Sequence, residues 1–320
     1  MILEPASENI AKAAVLLREC QCIGLPTETV YGLAADALSP LALAWIFEIK
    51  KRPLFDPLIL HVPEHYELER LVAAVPEKAR ILMEKFWPGP LTLLLPKREI
   101  VPDLATSGLS TVALRCPDHV VSQAVLREFG GPLAAPSANR FGRISPTTAQ
   151  AVAEELGENV PFVLDGGPCR IGVESTIVDA SGDVLRLLRP GGIPAEEIEK
   201  VIGDLLVSAG DAVEAPGMLK SHYAPRTPLY RLDQAWSTGR ALPENTALLC
   251  WSSARGLDSK RVRVLAPSGK LTEAAARLFQ CLRELDGLAV EKIWVEPVPM
   301  DGLGRAINDR LEKASSGGAA

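Results

Sequence analysis

Alternating helical and extended segments predict an α/β protein with two domains, and three observations support this. The chain runs to 320 residues, longer than one average domain. Short apolar runs bounded by proline alternate with amphipathic stretches of helical period. That alternation breaks once, over residues 207–227, and then resumes over a shorter stretch.

In chain order, Ser7 is placed to cap a helix with the apolar stripe Ile10, Ala13, Ala14 and Leu17, and residues 22–26 read as a buried strand. Ser39-Pro40, a cap followed by proline in the first turn, opens a helix that carries Leu43, Ile46, Phe47 and Ile49 and ends before Pro53. Buried strands are expected at residues 58–62, 91–95 and 112–115, a helix at 118–129 and an extended segment at 132–136. Ser145-Pro146 opens a helix to residue 156, and strands come next at 162–164, 175–179 and 184–188. The proline-bounded strand ends point to a sheet covered on both faces.

The break contains Ala215-Pro216-Gly217-Met218 and His222-Tyr223-Ala224-Pro225 and reads as a linker. Beyond it come strands at 247–251, 262–265 and 293–298, a helix at 271–285 and a last helix at 303–313. The expected organisation is a first domain over 1–206, a linker over 207–228, a second, smaller α/β domain over 229–314 and a disordered tail over 315–320.

At 47% hydrophobic and 23% charged residues the chain has the composition of a packed globular protein. Its net charge of −6, without a basic run, disfavours a tight binder of phosphate backbones. No apolar stretch approaches a membrane span, and acids stand where a signal peptide needs a basic leader, so a cytoplasmic protein is expected. Six scattered cysteines form no C-x-x-C pair and read as buried thiols of a reducing compartment.

Common nucleotide and hydrolase signatures are absent: no G-x-x-x-x-G-K-[ST], no G-x-G-x-x-G after a strand, no G-x-S-x-G. Chemistry must then reside in polar clusters at strand ends. Thr27, Glu28, Thr29 and Tyr31 come after the first buried strand; they suit a small polar ligand, or a capped turn. Lys50-Lys51-Arg52 ends a helix, where the helix dipole alone favours cations. Arg115 ends an apolar strand and needs an anion, either a ligand carboxylate or an internal Asp or Glu. Ser137, Asn139, Arg140, Arg143 and Ser145 form a fourth cluster, with Ser145 also readable as a helix cap. In the fifth, glycine pairs at 166–167 and 191–192 accompany Glu174, Ser175 and Arg189, a pattern suited to phosphates or to ordinary turns.

Taken in order, these clusters resemble the threonylcarbamoyl-AMP synthase family in its long form, a YrdC-like domain followed by a C-terminal domain. The resemblance rests on Pro26-Thr27-Glu28-Thr29-Val30-Tyr31-Gly32-Leu33, the K-x-R of Lys50 and Arg52, Leu60-His61-Val62 and Trp87-Pro88-Gly89-Pro90. It continues through residues 112–117, the S-x-N of Ser137 and Asn139, Gly172-Val173-Glu174-Ser175-Thr176 and residues 188–192. The two linker motifs and the stretch over residues 302–311, opening Gly302-Leu303-Gly304-Arg305, complete it. It implies a twisted open mixed sheet with a concave, positively charged cavity, plus a smaller Rossmann-like α/β domain. The implied reaction is a nucleotidyl transfer: L-threonine, bicarbonate or CO2 and ATP give L-threonylcarbamoyl-AMP and diphosphate. Other proteins would then carry the threonylcarbamoyl group to tRNA position 37, so that tRNA is met only indirectly and no membrane is involved.

By the same resemblance, Thr29, His61, Arg115, Ala135 and Ser175 would hold threonine, with Arg115 on its carboxylate. Lys50, Arg52, Asp56, Thr111, Ser137, Asn139, Arg143, Ser145 and Arg189 would hold ATP, joined by His222 and Tyr223 from a linker that covers the cavity. Lys50 and Arg52 are the candidates for stabilising transition-state charge, Mg²⁺ is expected with ATP, and Asp56 is a candidate for placing it. His61 is a candidate base, although a carbamate forming spontaneously in a closed pocket needs none. Two other readings share these residues: a carbamoyl-adenylate enzyme with a different acceptor, and a non-catalytic RNA-binding module.

Overall fold

The computed structural model describes residues 1–207, 214–219, 221–237, 240–257 and 260–315. The first part of the chain forms strands β1 (Ile2–Leu3), β2 (Ile23–Leu25), β3 (Gly32–Asp36), β4 (Ile59–His61), β5 (Leu91–Pro96), β6 (Thr111–Arg115), β7 (Leu133–Ala134), β8 (Val163–Leu164), β9 (Thr176–Asp179), β10 (Arg186–Arg189) and β11 (Leu206–Val207). They make one sheet in the order β1-β8-β2-β3-β7-β4-β6-β5-β9-β10-β11. The sheet is mixed: β4 runs parallel to β6 and β5 to β9, whereas β5–β6 and β4–β7 are antiparallel.

Helices α1 (Ser7–Arg18), α2 (Pro40–Lys50), α3 (Glu77–Phe86), α4 (Asp103–Thr106), α5 (Val120–Phe129), α6 (Ala149–Leu156) and α7 (Ala195–Ile202) pack on it in two groups. Strand alternation divides the cores: Leu33 and Ala35 of β3 join the core under α2, α3 and α7, while Ala34 joins that under α1 and α5. The second core ends at β7. Past it, the same face of β4, β5, β6, β9 and β10 carries Ile59, Leu94, Ala113, Ile177 and Leu188, covered by Ala215 and Met218 of the linker. Both faces are covered as expected, but over half of one face the cover is the linker and not a helix. That helix-free half is where the cavity lies.

The second unit contains β12 (Leu229–Arg231), β13 (Thr246–Cys250), β14 (Val262–Val264) and β15 (Lys292–Val295), all parallel in the order β12-β15-β13-β14. Helices α8 (Leu271–Asp286) and α9 (Gly304–Ser315) accompany them, a Rossmann-like arrangement. Its core takes in Val30, Ile144 and Val173 from the first unit and Tyr223 from the linker. Backbone approaches backbone at Gly172, where φ is +77° and a Cβ would come 2.3 Å from the carbonyl oxygen of Ala275 in α8.

Several local expectations need correction. Ser7 is the first helical residue and makes no side-chain cap. Ser145 does not open a helix; Thr148 does, its hydroxyl accepting from Ala151 N–H, while Ser39 caps α2 as expected. Strands β1, β3, β11 and β12 and helices α3, α4 and α7 are additions to the elements expected from the sequence. The segment read as linker begins inside β11, and Ser315 closes α9. Residues 316–320, expected to be disordered, lie outside the described residues.

Replacing Gly172 by alanine should lower the unfolding free energy by about 1–3 kcal/mol, because the new methyl collides with helix backbone. A thermal melt indistinguishable from wild type would contradict this packing.

Candidate active site

A cavity opens over the helix-free half of this face. Three strand ends supply its floor: His61 closes β4, Arg115 closes β6 beside it in register, and Ser175 immediately precedes β9, which lies beyond β5. The loop after β7 contributes Ala135, Pro136 and Ser137, the segment after β2 contributes Thr29 and Val30, and the linker contributes Pro216, Gly217, His222 and Tyr223. Arg52, Glu174 and Arg189 complete the lining.

Arg115 is 4% exposed, and its Nη2 lies 2.6 Å from Oε1 of Glu28, itself 1% exposed. The internal carboxylate that a buried Arg115 needs, in the absence of a ligand's, is therefore Glu28. Its Nε donates to Gly89 O at 3.2 Å, and its Nη1 lies 3.5 Å from Nε2 of His61. Burial, then the adjacent Arg115 charge, push the His61 pKa down to about 3. A ring held neutral to that pH is too weak a base to deprotonate an ammonium, which argues against His61 as the base and for a hydrogen-bonding role. Thr29 and Thr27 share a hydroxyl contact at 2.9 Å, and Thr27 Oγ1 also accepts from the amides of Thr29 and Val30. The capped turn is thus present, and Thr29 also lines the cavity. Tyr31, by contrast, turns inward and donates to Gly167 O at 2.8 Å.

On the opposite wall, Arg52 donates to Asp56 O and Pro57 O at 3.0 and 2.7 Å and pairs with the Asp56 carboxylate at 2.9 Å. Burial raises the Asp56 pKa, opposed by Arg52. Arg189 donates to Ser175 O, to Ser175 Oγ at 3.1 Å and to Pro216 O at 3.0 Å. Gly191 is what lets this strand end lie so close: a Cβ there would stand 2.3 Å from the Ser175 carbonyl carbon.

Of the anticipated residues, Thr29, Arg52, His61, Arg115, Ala135, Ser137, Ser175, Arg189, His222 and Tyr223 meet around this cavity. Six others stand outside its lining. Lys50 is one layer back, its Nζ donating to Ser137 O and Asn139 O at 2.5 and 2.6 Å; burial, then Arg52, hold its pKa well below the usual lysine value. Asn139 ties its own loop together by donating to Arg140 O and Arg143 O. Ser145 is fully buried and donates to Glu174 Oε1 at 2.6 Å. Asp56 lies behind Arg52, Thr111 begins β6 at the end away from Arg115, and Arg143 borders a separate cavity with Arg226, Arg283 and Asp286. Three residues join the site without having been assigned a role from the sequence: Glu174, Gly217 and Arg310, whose Nε donates to Glu174 Oε2 at 2.8 Å. Arg310 has a legible signal: it falls on the apolar stripe Leu303, Ala306, Ile307, Leu311 and Ala314 and so is directed into the interior.

Fold and site together define a two-domain α/β protein with an enclosed, cation-lined cavity. A family model described as telomere recombination, the Sua5/YciO/YrdC family, matches residues 15–191, and one described as the threonylcarbamoyl-AMP synthase C-terminal domain matches residues 193–316. The chain is 43% identical to the threonylcarbamoyl-AMP synthase of Bacillus subtilis, over 97% of this chain and 93% of that one. It is 42% identical to that of Pyrococcus abyssi, over 96% and 94%. A crystal structure of Pyrococcus abyssi Sua5 complexed with L-threonine superposes with a TM-score of 0.90 at 39% identity, covering 99% of this chain and 98% of that one. The chain belongs to the threonylcarbamoyl-AMP synthase family.

The buried, neutral His61 gives a signed pH dependence. Its pKa lies near 3 in the folded state against 6.5 when exposed, so between these values the unfolded chain binds a proton that the native one does not. Stability from this residue is present above pH 6.5 and is lost as pH falls toward 3. The urea midpoint of His61→Gln should depend less steeply on pH over that range than wild type; parallel profiles would contradict a neutral, buried ring.

Proposed function

We propose that this chain is an L-threonylcarbamoyladenylate synthase, a nucleotidyltransferase that converts L-threonine, bicarbonate or CO2, and ATP to L-threonylcarbamoyl-AMP and diphosphate. The observation that carries the reading is one cavity lined both by Arg115 with neutral His61 and by the cations Arg52 and Arg189. An amino acid and a triphosphate each find a matching wall in the same enclosed space. The names of the relatives, and the threonine in the Pyrococcus structure, support it.

In this reading Arg115 takes the threonine carboxylate, held in place by Glu28, while Thr29 and Ser175 supply hydroxyls and His61 a neutral ring nitrogen. The amine loses its proton before attacking CO2, and no residue is assigned as base. The carbamate oxygen then attacks the α-phosphorus, diphosphate leaves, and the negative charge that develops is met by cations already oriented. Arg52 and Arg189 face that charge. Lys50 fixes the Ser137–Asn139 carbonyls behind it. His222 and Tyr223 cover the cavity and keep water from the mixed anhydride.

Among the described residues no cluster of three or more His, Cys, Asp or Glu side chains is arranged to hold a metal. In this reading Mg²⁺ would arrive on the triphosphate and keep most of its waters. Asp56, 0% exposed and ion-paired to Arg52 at 2.9 Å behind the cavity wall, would have to exchange that partner to help place the ion. Bound there, the ion would offset phosphate charge. The product is an activated acyl group, to be consumed by transfer proteins that carry it to tRNA. All six cysteines are unpaired thiols, which fits the cytoplasmic setting this reading assumes.

Incubation with Mg-ATP and labelled bicarbonate, with and without L-threonine, tests the reaction by diphosphate release and labelled adenylate. Both should depend on threonine. Arg52→Ala or Lys50→Ala should lower kcat by about 10²–10³-fold. Arg115→Ala should instead raise the threonine KM by about 10–100-fold, the value of a charge-assisted hydrogen-bond pair. Diphosphate release with another amine in place of threonine would sink the substrate assignment, and no release with any acceptor would sink the reaction.

A further inference from the structure

Helix α9 belongs to the second domain, yet one of its faces reaches the wall of the cavity. Arg310 is 0% exposed. Its Nε donates to Glu174 Oε2 at 2.8 Å, its Nη1 meets Asp309 at 2.5 Å, and its guanidinium lies 5.1 Å from the centre of the Tyr223 ring. Its Nη2 has no hydrogen-bond partner. One turn on, Lys313 donates to Gly217 O at 2.8 Å, and its own carbonyl accepts from His222 N–H at 3.2 Å. Four cavity-lining residues, Glu174, Gly217, His222 and Tyr223, are thus gripped from α9.

Glu174 is the informative partner. It lines a cavity meant for anions, and its second oxygen accepts from Ser145 Oγ. Left alone, such a carboxylate would repel a triphosphate or take up a proton and loosen its hold on Ser145. Burial favours protonation, but Arg310, Arg189 and Ser145 outweigh it and keep the group ionised. The charge is cancelled while the geometry is retained.

Building on the function proposed above, we propose that Arg310 is a positioning residue of the active site: by pairing with Glu174 and stacking on Tyr223 it shapes the ATP half of the cavity from the second domain. None of these Arg310 contacts is to Thr29, His61, Arg115, Ala135 or Ser175, which form the threonine half, although Ser175 follows Glu174 in the chain. A purely structural clamp between domains would behave differently, lowering stability and the folded fraction without changing the affinity of the molecules that remain folded.

The test uses full-length wild type, Arg310→Met and Arg310→Lys, with melting temperature recorded for each. The dissociation constants of Mg-ATP and L-threonine are measured by titration calorimetry, with adenylate formation followed alongside. Arg310→Met should weaken ATP binding by about 10–100-fold while the threonine constant stays within about twofold, as expected for misplacement confined to one half-site. Arg310→Lys keeps the charge but not the flat fork over Tyr223 and should fall between the two. Lowered melting temperature with ATP affinity unchanged in both variants would overturn the proposal. Should the methionine variant not fold, the lysine variant decides by the same criterion. A wild type that binds ATP without forming adenylate would strike the proposed reaction and leave the Arg310 proposal to be decided by the binding data; a wild type that does not bind ATP would overturn both.

Discussion

Five buried cations around one cavity are the constraint on which the rest of the structure depends. Lys50, Arg52, Arg115, Arg189 and Arg310 are each at most 7% exposed. An uncompensated charge in such surroundings costs several kcal/mol, a large share of the roughly 5–15 kcal/mol by which a domain is stable. Each is therefore met by a fixed partner within the protein. Asp56, Glu28 and Glu174 answer Arg52, Arg115 and Arg310, whereas Lys50 and Arg189 donate to main-chain carbonyls.

That arrangement explains features that look unrelated. Half of one sheet face is free of helices because the cations at the strand ends need room for anions, and the linker covers the apolar floor beside them. Gly191 is where backbone must approach the Ser175 carbonyl that Arg189 also uses. The second domain is needed to exclude water from Tyr223 and Arg310, and its core is continuous with the cavity wall. Because the compensating groups are fixed before any ligand arrives, little reorganisation is left for the reacting state.

Much of this is legible in the chain. The apolar runs at 58–62, 91–95 and 112–115 mark strands within a residue or two, since buried strands announce themselves by continuous apolar character. Arg115 is legible as a charge in need of an anion, though not which one; Glu28 lies on a different strand end, and only the fold brings them together. Ser145 misleads because Ser-Pro resembles a helix start, while Thr148 three residues on competes for the cap and wins. Strand β3 is hidden in small residues, Gly32-Leu33-Ala34-Ala35-Asp36, that carry weak strand preference. The Glu174–Arg310 pair joins residues 136 positions apart in different units. Local pattern shows that Arg310 is interior; it does not show what it meets.

The central claim is that threonine and the triphosphate occupy two ends of one cavity, with Arg115 at one and Arg52 and Arg189 at the other. A crystal structure with L-threonine and a non-hydrolysable ATP analogue tests it most directly. The account predicts the amino-acid carboxylate on Arg115, beside His61, with the phosphate chain against Arg52 and Arg189 beneath Tyr223. Phosphates seated on Arg115, or a nucleotide bound outside the cavity, would contradict it.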